Sequence, residues 1–486
     1  MTASRLDPSA PVLTADLCVI GAGAGGLSVA VGAAQLGAAT VLVERGAMGG
    51  DCLNTGCVPS KALLAAGNLA AAMRGAGRFG LGAVEPAVDF GRVHDHVHEV
   101  IASIAPHDSV ERLTGLGVRV LRAEARFTGR NRLQVGAVTV TARRFVIATG
   151  SRPALPPIPG LADVPFLTNE TIFDGRTAPA HLIVIGGGPV GVELAQAHRR
   201  LGCAVTLVEQ ATLLPRDDPE LVAVVRRQLV RDGVVLHEVV AIARVEAGTD
   251  AAPGGGGVTL ILASGVRLTG STVLVAAGRR PDLESLALAA AGVRAGPEGI
   301  VTDARLRTSN RRIFALGDVV AGGPRFTHAA GYQAGVVLRN ALFRWPARVD
   351  YRALPRVTCT SPELAQVGMT EAEARAAFGA IGLLRWPLAE NDRARADRTP
   401  DGLVKAVIRP DGRVVGAGIV GAHAGELIQV WGLAIARGLK VGALATLIAP
   451  YPTLGEASKR AAGSYFAPRL FNDRVRGVVR LLARLG

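Results

Sequence analysis

Gly49-Gly50-Asp51-Cys52-Leu53-Asn54-Thr55-Gly56-Cys57-Val58-Pro59-Ser60-Lys61 sets two cysteines five positions apart, with Pro, Ser and Lys behind them. A regular helix rises about 7.5 Å over five residues, whereas a disulfide holds its Cα atoms roughly 4.4 to 6.8 Å apart. A Cys52–Cys57 bridge therefore needs the backbone to leave regular helix between them. Gly56 permits a bend, and Pro59 is tolerated only in a first helical turn. The stretch reads as an irregular loop with a redox-active pair, running into a helix over 62–72. Two unpaired core thiols are the alternative reading. Cys18, Cys203 and Cys359 lie in apolar or strand-like runs and read as inert core thiols. No second pair has zinc-ligand spacing, and no metal site is expected.

Upstream, residues 1–14 read as a loose tail, followed by the apolar strand Leu17-Cys18-Val19-Ile20. Gly21, Gly23 and Gly26 follow at dinucleotide-fingerprint spacing. Leu27 to Leu36 continues as helix, and Ala39 to Val43 is a strand ending in Glu44. In this context Gly21 makes a tight turn, Gly23 admits a pyrophosphate, Gly26 lets helix pack on strand, and Glu44 accepts from a ribose. The pattern returns downstream. Leu182 to Ile185 leads into Gly186, Gly188 and Gly191, then a helix over 192–201 and the strand Val205 to Val208, ending in Glu209. A carboxylate there repels a 2′-phosphate, and no Arg stands close behind it before Arg216, so NAD(H) is expected over NADP(H).

From about Asp16 to Ala461 the chain resembles the class I pyridine nucleotide-disulfide oxidoreductases, among them glutathione reductase, dihydrolipoamide dehydrogenase and mercuric reductase. The resemblance implies an α/β fold with two Rossmann-like dinucleotide-binding domains and a C-terminal α+β dimerisation domain. The implied division is 1–152 and 276–345 for FAD, 153–275 for the nicotinamide nucleotide, and 346–486 for dimerisation. FAD would lie on Gly21, Gly23, Gly26, Glu44 and Gly50. It would also meet Thr149-Gly150, Gly278, Asp318 of Phe314-Ala-Leu-Gly317-Asp318, and His328-Ala329. The nicotinamide nucleotide would lie on Gly186, Gly188, Gly191 and Glu209.

The same resemblance implies that Cys52 exchanges with substrate, that Cys57 faces the flavin, and that Lys61 pairs with Glu193. Near the end of the dimerisation domain, Pro450-Tyr451-Pro452-Thr453 and Glu456 match a family motif that opens with His in the glutathione and dihydrolipoamide enzymes. There the His and the Glu act as an acid–base pair. Tyr451 at that position resembles mercuric reductases, with Glu456 orienting it. Those enzymes also carry a C-terminal pair of vicinal cysteines, and no cysteine follows Cys359 here. The expectation is a homodimeric, mercuric-reductase-like enzyme passing electrons to a small molecule or metal ion. A dihydrolipoamide dehydrogenase, a quinone- or oxygen-reducing flavoprotein and a non-enzymatic redox sensor are the alternatives.

Composition narrows the class. The formal charge is +14, but 50 of the 54 basic residues are Arg, a bias that reads as genomic. No dense basic cluster interleaves with aromatics, so nucleic acid is not an expected partner. Leu17 to Val43 is uncharged, yet six glycines break it, and a strand, turn and helix explain it better than a membrane span. No secretory signal is evident and disulfides in a reducing compartment are catalytic, so a cytoplasmic enzyme is expected.

Three features stand outside the family motifs. His94 and His98 are four apart on an expected helix over 93–104, a spacing that suits a metal but reads here as a solvated or interface helix. Residues 248–257 read as a glycine-rich loop. Residues 474–485 read as a helix with apolar positions 475, 478, 482 and 485 and Arg on the other faces. Docking on its own dimer is favoured for that helix over a membrane surface.

Overall fold

The computed structural model describes residues 11–248 and 257–485, so most of the expected 248–257 loop and of the expected N-terminal tail lie outside the described residues. Two compact units form. The first is built from Met1–Leu63, Val88–Ala178 and Val273–Val349, the second from Leu64–Ala87, Pro179–Thr272 and Asp350–Gly486.

In the first unit the strands are β1 (Val12–Ile20), β2 (Thr40–Glu44), β3 (Val118–Arg122), β4 (Ala125–Gly129), β5 (Arg132–Val135) and β6 (Val138–Ile147). They order β3-β2-β1-β6-β5-β4, and the strand Ile313–Ala315 pairs in parallel with β6. β1 is longer than its apolar run suggested. It starts at Val12 because β6 is ten residues long and pairs with it in parallel from Val12↔Thr139 to Ile20↔Ile147. Successive β1 side chains enter opposite cores. Leu17 and Val19 pack with α1 (Ala24–Gln35) and the helix Thr327–Ala341, while Cys18 and Ile20 pack with Phe127 and Phe145. Burial on both faces is why this strand reads as continuous apolar sequence.

The redox stretch departs from the expected irregular loop. It forms a short helix α2 (Gly50–Asn54), a break at Thr55 and Gly56, and a longer helix α3 (Cys57–Arg74) with Pro59 in its first turn. Thr55 N donates to Asp51 O at 2.9 Å and Ser60 N to Gly56 O at 3.1 Å, so each helix closes independently of the other. A Cβ at residue 56 would stand 2.9 Å from Asp51 O, which requires glycine at the break. The helix expected over 93–104 starts earlier, as α4 (Phe90–Ile104), because Asp89 caps it by accepting from Arg92 N at 3.1 Å.

In the second unit, parallel strands His181–Ile185, Ala204–Glu209 and Val235–Glu238 carry the second dinucleotide fold. A five-stranded antiparallel sheet follows, ordered Pro355–Thr358, Glu363–Gly368, Val414–Gly421, Leu403–Ile408, Gly382–Pro387. Helix Gln429–Ala436 covers it, and Trp431 Nε1 donates to Ser458 Oγ at 3.0 Å in the core. Lys405, on an inner strand of this sheet, is buried. Its Nζ lies 2.8 Å from Asp218, 2.9 Å from Glu220 and 2.9 Å from Glu371.

Removing one partner of a buried ion pair leaves uncompensated charge, at a cost of about 3 to 5 kcal/mol. Lys405→Met should fall at the lower end, about 3 kcal/mol, because Glu220 also has Arg385 at 2.9 Å and Glu371 has Arg375 at 2.9 Å. Urea denaturation should show it as a lower midpoint. A loss under about 1 kcal/mol would show the cluster behaving like a surface ion pair.

Candidate active site

The two glycine-rich turns share one construction. Gly21 N donates to Val43 O at 2.8 Å, and Gly186 N to Val208 O at 2.9 Å. A Cβ at Gly26 would lie 1.8 Å from Gly21 O, and one at Gly191 would lie 1.9 Å from Gly186 O, so only glycine fits at either position. Gly23 and Gly188 precede the helices α1 and Pro189–Arg200 without a side-chain cap, and nothing lies within 4 Å of a Cβ at either. Both helix N-termini thus keep open backbone donors, which suits a pyrophosphate.

The acid after each fold also works on its turn. Glu44 accepts from Ala22 N at 2.7 Å and Gly46 N at 2.6 Å; Glu209 accepts from Gly187 N at 2.5 Å and Ala211 N at 2.7 Å. Each carboxylate braces the loop backbone besides any ribose contact, a role the sequence did not suggest.

Around the first turn, Thr149 Oγ1 donates to Asp282 O at 2.7 Å and Asp282 N to Gly150 O at 3.1 Å. The strand Ser151–Pro153 pairs antiparallel with Arg279–Pro281, just after Gly278. Asp318 lies in the turn Gly317–Val319 and accepts from Ser151 Oγ at 2.6 Å. His328 stacks on Phe326 with ring centroids 5.3 Å apart, and Ala329 is buried in the helix Thr327–Ala341. Gly50 abuts Gly23, since a Cβ on it would lie 2.7 Å from Gly23 Cα. The redox helix α2 therefore starts against the turn that would hold a dinucleotide.

Cys52 and Cys57 are free thiols here, Cys52 half-buried and Cys57 exposed. They are hydrogen-bonded to each other, and Cys57 Sγ lies 3.4 Å from Thr327 Oγ1. Donation from Cys52, the Thr327 hydroxyl and the Lys61 cation pull Cys57 down to about 6, against the partial desolvation of its sulfur. Cys52, which keeps its proton in that bond, is pushed up. Thr327 opens a helix, and a helix N-terminus favours an anion. Cys18 is fully buried and shifted up, and burial raises Cys203 to about 11, so both suit inert roles. Cys359 is only half-buried, less a core thiol than expected.

Several residues that sequence reasoning missed tie this site together. Asn169 Nδ2 donates to Asp51 Oδ1 and to Thr55 O, both at 3.0 Å. Arg279 reaches Asp51 at 3.3 Å, Asn169 Oδ1 at 3.3 Å and Ser151 Oγ at 2.7 Å. Asp51 and Asp318 are thereby joined through one guanidinium and one serine. Buried Gln333 accepts from Gly317 N at 2.6 Å. The run Gly278-Arg279-Arg280-Pro281 was a visible signal; Asn169 and Thr327 carried none.

The second unit holds the remaining expected site residues. Glu193 is buried and accepts from Cys359 N at 2.7 Å. Tyr451 is 70% exposed, and its hydroxyl donates to Asp392 Oδ2 at 3.0 Å. Glu456, expected to orient Tyr451, is instead paired with Arg460 one helical turn on, at 2.9 Å. His94 and His98 stack 4.0 Å apart, but Arg176 Nη1 and Asp95 Oδ1 meet His94 Nδ1 at 2.8 and 3.0 Å. Among the described residues no group of three His, Cys, Asp or Glu side chains is placed to hold a metal ion. Helix Asp473–Leu482 carries Arg474, Arg476 and Arg480 and ends before the expected 485, and Val478, Val479, Leu481 and Leu482 on it are exposed. No helix among the described residues is long and apolar enough to cross a membrane.

Residues 15–334 match the family model described as pyridine nucleotide-disulphide oxidoreductase, and residues 354–462 match that family's dimerisation domain. The chain belongs to this family. It is 37% identical over 461 residues to a mercuric reductase of Streptomyces lividans, covering 93% of this chain and 96% of the relative. It is 36% identical over 461 residues to a dihydrolipoyl dehydrogenase of Geobacillus stearothermophilus, covering 91% and 94%. The solved HOCl-induced flavoprotein disulfide reductase RclA from Escherichia coli superposes with a TM-score of 0.82 at 27% identity, covering 92% of this chain and 99% of that one; its Cu(II) complex aligns equally well. The protein is accordingly an FAD-dependent oxidoreductase that uses a pyridine nucleotide and a redox-active cysteine pair. The open helix N-termini behind Gly23 and Gly188 fit those two dinucleotides.

The thiol geometry has a direct readout. In the reduced protein, thiolate absorbance should titrate near pH 6, with Cys57 as its source. Lys61→Ala should move that step upward, since the Lys61 cation favours the thiolate. An unmoved step would remove Lys61 from the account.

Proposed function

We propose that this enzyme transfers two electrons from NADH through FAD and the Cys52–Cys57 pair to a metal-ion acceptor, in the manner of a mercuric reductase. FAD supplies the two-electron relay between nicotinamide and disulfide. The chain does the rest. Cys57, stabilised as thiolate by Cys52, Thr327 and Lys61, is the sulfur suited to face the flavin. Cys52, which retains its proton, is the sulfur suited to meet the acceptor. Reduction of the disulfide by two electrons takes up one proton, on Cys52, and leaves Cys57 as thiolate; reduction of a divalent cation to the metal then withdraws the two electrons, releases the Cys52 proton to solvent and restores the disulfide.

The observation that carries the choice of acceptor is Tyr451. An organic disulfide releases a thiolate that needs a proton, and His, titrating near about 6.5, both gives and takes one at neutral pH. A phenol titrates near about 10 and makes a poor base. Tyr451 is shifted further up by its bond to Asp392 and by the Asp392 and Glu456 charges. Its one proton, moreover, is already committed to Asp392. A cation needs no such proton. The RclA relative, at 27% identity, has been solved as a Cu(II) complex, so a protein of this fold binds a divalent cation.

In this proposal the metal meets Cys52 directly. Dihydrolipoamide dehydrogenase is the second reading, favoured by the 36% identity and by the acid at Glu456. The proposal includes NAD(H) preference from Glu209, a homodimer through residues 354–462, and the four-segment domain division read from the sequence.

Steady-state assays test it. kcat/KM should be higher with NADH than with NADPH, and Glu209→Gln, which keeps the acceptor for Gly187 N but removes the charge, should narrow the gap. Mercuric ion buffered with cysteine should turn over faster than lipoamide or glutathione disulfide, and Tyr451→His should raise the disulfide activities. Brisk wild-type turnover of dihydrolipoamide would promote the second reading.

A further inference from the structure

Tyr451 sits in a loop that is held on both sides of it. Asn391 is buried and caps the short helix Asp392–Ala396 by accepting from Ala394 N at 2.9 Å. The same side chain donates through Nδ2 to Thr453 O at 3.1 Å, and Thr453 Oγ1 donates to Pro450 O at 2.7 Å. With its neighbour so anchored, Asp392 receives the Tyr451 hydroxyl at 3.0 Å. The arginines on the Asp392–Ala396 helix are engaged elsewhere: Arg393 pairs with Asp397 at 2.7 Å, and Arg395 donates to Ala389 O. The charged groups bearing on the phenol are therefore Asp392, by contact, and Glu456, through space.

A phenol has one proton and two lone pairs. With the proton pointed at a carboxylate, the oxygen offers only its lone pairs to anything else. We propose that Asp392 is the positioning residue for Tyr451, fixing its hydroxyl so that it presents an electron-rich oxygen to a cationic acceptor. This rests on the reading of Tyr451 as an acceptor-site residue. The sequence pattern nominated Glu456 for the orienting role; the structure assigns it to Asp392, from a segment about sixty residues upstream. The consequence is one of polarity. Tyr451 held by Asp392 serves as a ligand to a positive centre and not as a proton donor to a leaving thiolate.

Three variants separate the possibilities: Tyr451→Phe, Asp392→Asn and the double. Asparagine keeps the shape and an acceptor oxygen but not the charge. The Tyr451 phenol, isolated as the difference in phenolate absorbance between each protein and its Tyr451→Phe counterpart, should titrate above about 10 in the wild type and fall toward about 10 in Asp392→Asn. With mercuric chloride in excess cysteine as the probe, each single variant should lower kcat/KM by about tenfold, as expected for a lost hydrogen bond to a charged group. The double variant should be no worse than Tyr451→Phe alone. An unmoved phenol titration, or an Asp392→Asn loss that persists in full on the Tyr451→Phe background, would overturn the positioning role. A Tyr451→Phe protein with wild-type kcat/KM would overturn the acceptor-site reading beneath it, and the positioning role with it.

Discussion

The approach of a helix to the carbonyl of its own preceding turn governs this molecule twice. Gly26 and Gly191 sit where any side-chain carbon would fall within 2 Å of the Gly21 or Gly186 oxygen. That contact brings the first turn of each helix onto its strand and points the open backbone donors at one place. A carboxylate at the end of the next strand, Glu44 or Glu209, then locks the loop by accepting two backbone N–H groups. Two dinucleotide sites built to one plan in one chain are what an enzyme needs to carry electrons from one nucleotide to another.

The redox pair depends on the first of these sites. Gly50 packs on Gly23, so α2 begins at the dinucleotide turn, and the break at Thr55 and Gly56 turns the chain from α2 into α3. The two sulfurs become unequal through their surroundings. One keeps the shared proton; the other faces a helix start, a hydroxyl and a lysine. Asp51, Asn169, Arg279, Ser151 and Asp318 form a continuous polar chain that fixes α2 relative to the Gly317–Val319 turn. In the division of labour we propose, the difference between Cys52 and Cys57 is a matter of electrostatics that the fold imposes on two chemically identical side chains.

Local pattern revealed most of this. Both fingerprints, the redox stretch and the Asp318 motif are written in contiguous residues, because turns and strand ends demand particular residue types at fixed spacing. The features that stayed hidden depend on long-range pairing. β1 extends to Val12 because β6 runs beside it, which no window around Val12 reveals. The α2 segment reads as loop because glycines and a proline flank it, whereas its helix is held by Asn54 Nδ2 donating to Met48 O and Gly50 O and by the bond between Asn169 and Asp51. Asp392 lies 59 residues from Tyr451, and a motif that expects its acid at Glu456 points elsewhere. In each case a partner distant in sequence completes the feature: β6 for β1, Asn169 for Asp51, and Asp392 for Tyr451.

The central claim is that Cys57, and not Cys52, is the thiolate that faces the flavin. The most direct measurement is the visible spectrum on anaerobic addition of one equivalent of NADH to the oxidised enzyme and to its Cys52→Ser and Cys57→Ser forms. A long-wavelength charge-transfer band should develop in the wild type on reduction, stand already in Cys52→Ser at neutral pH without reductant, and be absent from Cys57→Ser throughout. A band that survives in Cys57→Ser and vanishes in Cys52→Ser would contradict the account.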